Sequence, residues 1–135
     1  MKQDLSSKKT QIVFGDDSVV IQKYISGVKG GRTLDVTGYA PSVIRAGHVI
    51  ITDGKGLYKP MPVSGEEDAY TYEALPEGYS YAGVLYRSIA TNKPAASIMT
   101  WGEVCVEALP VNMDAIMDAF KAACPHIDFI KDEEA

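Results

Sequence analysis

The chain has 135 residues, 46% hydrophobic and 23% charged, with a formal net charge of −5. One domain with a sizeable buried core is predicted, and this balance excludes global disorder. The acidic excess disfavours nucleic acid, since the cationic side chains are scattered apart from Lys8-Lys9 and the Lys29–Arg32 turn; no apolar run reaches the roughly 20 residues of a membrane span.

Residues 1–17 read as an extended N-terminal arm. "KQDLSSKKTQ" is polar and aperiodic, and then Ile12, Val13 and Phe14 form a short apolar triplet before "GDDS". Such an arm can order on a partner by adding a strand to its sheet. It has no apolar signal-peptide core, which predicts synthesis and folding in a cytoplasm.

Residues 18–130 read as a single β-rich domain. "SVVIQKYI" is β-branched and aromatic, "SGVKGGR" punctuates it, and "TLDVTGY" alternates. "HVIITD", the turn "DGKG" and "LYKPMPV" read as a hairpin with a turn at Asp53–Gly56. The long connection "SGEEDAYTYEALPEGY" leads to "SYAGVLYRSI", the turn "ATNKP" and the run "AASIMTWGEVCVEAL". Many short strands between turn residues predict a mainly β (α+β) fold, a compact β-sandwich or small barrel.

One C-terminal amphipathic helix, 113–124, is expected to pack on the sheet. Met113, Ile116, Met117 and Phe120 share one helical face. Asn112 is placed to cap it, Asp114 suits the first-turn dipole, Val111 can staple onto Ile116, and Pro125 stops it. "HIDFI" reads as a last short strand, and residues 131–135, "KDEEA", as an acidic tail.

No candidate site assembles into catalytic chemistry. His48, in a strand, shares a face with Ile50 and Thr52 and has no second ligand at metal spacing, so a half-buried strand histidine is expected. Cys105, Cys124 and His126 lack any CxxC or HxxxH pair; a bridge between the two cysteines stays open. In a regular strand Cys105 lies beside Glu103 and Glu107, which raise a thiol pKa, the wrong direction for a nucleophile. "GVKGGRT" and "TDGKG" do not match GxxxxGK[ST] and open no helix, so they read as turns needing positive φ. The expectation is therefore a protein that is no enzyme, with no catalytic residue, no metal and no cofactor.

Two features carry more information. Pro60 and Pro62 remove two donors from one side of "LYKPMPV", leaving Lys59, Met61 and Val63 to pair on the other, as in a blunted edge strand. Tyr70, Tyr72, Tyr79 and Tyr81 cluster in and after the long connection. They read either as an interface loop or as side chains that pin the loop to the sheet.

The blocks "SGVKGGRTLDVTGY", "IRAGHVIITDGKGLYKPMPV" and "YAGVLYRSIATNKPAASIMTWGEVCVEALP", with the closing helix and "PHIDFI", resemble the head fibre or head decoration proteins of tailed bacteriophages. The resemblance spans residues 18–130. It implies a structural capsid protein on the outer surface of the virion, made in the bacterial cytoplasm, often trimeric, with the major capsid protein as partner. It also implies that Ile12, Val13 and Phe14 anchor the arm on the capsid. The chain has no Gly-X-Y tract or heptads for a shaft, so a compact cap or fibre base is the expectation. The alternative is a small β-barrel ligand-binding or adhesion module that takes a host-surface glycan on the tyrosine-rich loop.

Overall fold

The computed structural model describes residues 17–66 and 69–130. The arm up to residue 16, with Ile12, Val13 and Phe14, and the acidic tail lie outside the described residues, as do Glu67 and Asp68.

The fold is mainly β, with one helix packed near an open sheet. A single helical turn, α1 (Asp17–Val20), leads into β1 (Ile21–Gly27). The main sheet also contains β4 (Val49–Thr52), β5 (Tyr58–Pro60), β8 (Ser80–Leu85), β11 (Ile98–Cys105) and β12 (Ile127–Ile130). Its order is β1-β11-β8-β4-β5, with β12 also paired to β11. The eight residues of β11 serve two partners along one edge. Its start pairs antiparallel with β8 (Met99↔Val84), and its end pairs parallel with β12 (Val104↔Phe129).

Three ribbons surround this sheet. They are β2 (Arg32–Thr33) with β10 (Ala95–Ala96), β3 (Val43–Ile44) with β9 (Ile89–Ala90), and β6 (Val63–Ser64) with β7 (Thr71–Tyr72).

The sheet does not close, which corrects the small-barrel expectation. The reason lies at β5. Met61 donates its N–H to Val49 O at 2.8 Å, on the β4 side, so the Pro60 and Pro62 nitrogens face the opposite edge, where neither can donate. The carbonyls on that outer edge are taken by loops: Asp35 N–H bonds Tyr58 O at 2.8 Å, and Glu73 N–H bonds Pro62 O at 2.9 Å. That edge lacks both proline donors and has the Tyr58 and Pro62 carbonyls taken, so it is poorly equipped to pair with β1 across a barrel seam. "LYKPMPV" is also not one strand. It breaks after Pro60, and Val63 pairs with Tyr72 in the β6–β7 ribbon rather than with β4.

The centre of the sheet is buried on both faces. Val49 and Ile51 join one cluster with Val84, Met99, Val104 and Phe120, whereas Ile50 joins another with Leu34, Ile44, Leu85 and Ile98. The unbroken apolar run of β4 follows from this two-sided burial. The helix and the turn before it cover the first face; β3 and the loop around Leu34 cover the second.

The helix, α2 (Met117–Ala123), is shorter than the 113–124 expected. Asn112 Oδ1 accepts the Asp114 N–H at 2.7 Å, an Asx turn that competes with helix entry, and Asn112 also bridges Thr71. Residues 113–116 form a turn closed by Ile116 N–H to Met113 O, and the helix begins from Ile116 without a side-chain cap. Met113, Ile116 and Phe120 still reach the first cluster.

Candidate functional site

The described residues offer two regions where a partner or ligand could be held: an aromatic-walled cavity over His48, and an exposed apolar end of the main sheet.

The cavity begins with a tight turn. His48 N–H bonds Arg45 O at 3.1 Å, and Gly47 sits at φ +92°. A Cβ there would meet Val20 Cγ1 at 2.6 Å, so conformation and space both demand glycine. The turn delivers His48 inward just ahead of β4, at 2% exposure. This corrects the half-buried strand histidine. Its Nε2 lies 2.9 Å from the Met61 carbonyl oxygen, which can only accept, so Nε2 carries the proton and Nδ1 is left as an acceptor. The rings of Tyr39 and Tyr72 stand edge-on to it at 5.7 and 5.3 Å. Burial pushes its pKa down to about 4 against one opposing hydrogen bond to Met61, so the ring is neutral.

Above the ring lies a cavity of about 380 Å³, walled by Tyr39, Tyr70, Val43 and Val111, with Ser42 and Arg45 also lining it. Burial, with Tyr70 nearby, raises the Tyr39 pKa and keeps its phenol protonated.

The four tyrosines in and after the long connection are dispersed rather than gathered on one surface. Tyr70 lines the cavity. Tyr72 is core: its hydroxyl accepts the Val49 N–H at 3.0 Å. Tyr79 lies under the Lys59 ammonium at 4.9 Å, and Tyr81 packs edge-on to Phe120 at 5.5 Å. Tyr72 thus pins the connection to the sheet, and Tyr81 belongs to β8 itself.

The thiols are separate. Cys105 and Cys124 are both free. Cys124 is buried, which pushes its pKa up to about 11, and its Sγ lies 3.8 Å from Tyr81 O. Cys105 is followed by a 3-10 turn, Val106–Ala108, that takes Glu107 out of the strand; its Sγ lies 3.9 Å from Glu107 Oε1. His126 stands beside Trp101, ring centres 5.3 Å apart, rather than beside a thiol. Among the described residues no three His, Cys, Asp or Glu side chains are placed to hold a metal, and no helix is long and apolar enough to cross a membrane.

The second region lies on the neighbouring strands β1, β11 and β12. Tyr24, Ile25, Trp101 and Ile130 are exposed there, Trp101 at 47%. In the sequence Trp101 is inconspicuous because it sits inside an apolar run. Alternation held the signal: along β11, Trp101 shares its face with Glu103, the polar side of the strand.

No family model, curated protein or solved structure matches this chain.

Proposed function

We propose that this protein is a structural decoration protein of a bacteriophage head, bound to the outer surface of the shell through the major capsid protein and carrying no cofactor. The observation that carries the reading is the set of large side chains on neighbouring strands of the sheet, Tyr24, Ile25, Trp101 and Ile130, each at least 41% exposed. Large apolar and aromatic side chains left on neighbouring strands suit a protein whose work is contact. The resemblance in sequence order points the same way. In this reading Ile12, Val13 and Phe14 anchor the arm, and three copies stand together on the shell. Repeated attachment then makes weak single contacts durable.

Co-sedimentation with purified capsids tests it. Wild-type protein should pellet with capsids. Deletion of Met1–Phe14 should abolish pelleting while the β-rich circular dichroism spectrum persists, and Trp101→Ser should weaken it. Full retention by the deletion variant removes the arm from the reading; failure of the wild type to pellet with any capsid of its source removes the reading itself.

A further inference from the structure

We infer that the cavity over His48 is a carbohydrate subsite that takes one pyranose ring. It is distinct from the apolar end of the sheet and does not depend on the capsid reading. Three observations converge. The first is size: about 380 Å³ lies within the range of small-molecule sites and holds a single sugar ring with its first linkage.

The second is a set of polar groups without a protein partner among the described residues. His48 is buried and its Nε2–H is committed to Met61 O, which leaves Nδ1 as an acceptor. Among the described residues, no hydrogen bond reaches Nδ1 or the hydroxyls of Tyr39 and Tyr70. The site thus offers two phenols that can each donate and accept, over a buried ring whose Nδ1 remains an acceptor. An apolar occupant would strand these groups, at about 1–3 kcal/mol for each one buried.

The third is the character of the walls. The tyrosine rings, Val43 and Val111 present apolar surface between the polar points. A pyranose matches such a wall, with C–H faces for the rings and hydroxyls for the polar groups. A simple anion does not: the one cation lining the cavity is Arg45, which is exposed, and the base of the site is a neutral ring. Arg45 would favour a carboxylate on the sugar without being required for the ring.

The test is saturation-transfer NMR followed by calorimetry on the full chain. The probes are methyl glycosides of glucose, galactose, N-acetylglucosamine and glucuronic acid, with indole as an apolar control. At least one glycoside should bind saturably in the millimolar range. Tyr39→Phe, which removes one hydroxyl and keeps the ring, should weaken it about tenfold, and Tyr70→Ala at least as much. Unchanged melting temperatures would show that both variants fold. Arg45→Ala should weaken the glucuronide selectively. Absence of saturable binding across the four glycosides overturns the proposal. So does binding unaffected by both tyrosine variants, or indole displacing every glycoside.

Discussion

At the scale of single residues, His48 makes stability depend on pH. Its unfolded imidazole titrates near the ordinary 6.5, and the folded one near 4. Between those values the unfolded chain takes up a proton that the folded chain refuses. The contribution is therefore complete above about pH 6.5. It is lost on acidification by up to about 1.4 kcal/mol per pH unit, and levels off near pH 4. Urea midpoints measured from pH 7 down to pH 5 should fall in the wild type, and His48→Gln should flatten that slope. A slope identical in the variant would assign it to another group. Tyr72 is the second test. Tyr72→Phe leaves the Val49 N–H buried without its acceptor and should cost about 1–3 kcal/mol in chemical denaturation. Neither role was legible in the sequence. The partner of His48 lies across the hairpin at Met61, and that of Tyr72 lies 23 positions away at Val49.

At the scale of elements, the sequence was most legible where local chemistry decides. The Asp53 turn is one case. Asp53 Oδ1 accepts the N–H groups of Lys55 at 2.7 Å and Leu57 at 3.2 Å, and Gly56 takes φ +103°, as its "DGKG" spelling suggests. The helix was legible in its buried face and not in its start, because Asn112 can cap either a helix or a turn and its bridge to Thr71 selects the turn. Phe120 is fully buried between Tyr81 and Phe129. Phe120→Ala should therefore cost about 3–5 kcal/mol, seen as a lower urea midpoint with the slope unchanged. The outer edge of β5 gives a prediction of a different kind. Replacing Pro60 and Pro62 together by valine restores two N–H groups to that edge. Size-exclusion chromatography with light scattering should then show concentration-dependent association beyond that of the wild type.

At the scale of the whole molecule, closure is what the sequence could not state. Strand count and spacing suit a sandwich or a barrel equally, and the outcome turns on whether two distant edges can pair. The occupied carbonyls of Tyr58 and Pro62 decide it at one edge, through Asp35 and Glu73. Among the described residues, both clusters are built from Val20 to Ile127. Removing Met1–Phe14 should therefore leave the melting temperature within a few degrees of the full chain, whatever it does to capsid binding.

The two-sided burial of β4 carries a consequence for how the chain finds its alignment. A strand with one polar face cannot slip by a single position without putting charge in the core. β4 has no such safeguard, because a slip exchanges one apolar cluster for the other. Its alignment must be written elsewhere, and the neighbouring strand supplies it. Ile50 stands opposite Gly83 and Ile51 opposite Tyr81, so Ala82 bulges out between them. A Cβ on Gly83 would collide with the Met99 carbonyl oxygen, so no other residue admits that close approach. The most plainly apolar strand in the chain thus takes its place from an absent side chain on its neighbour.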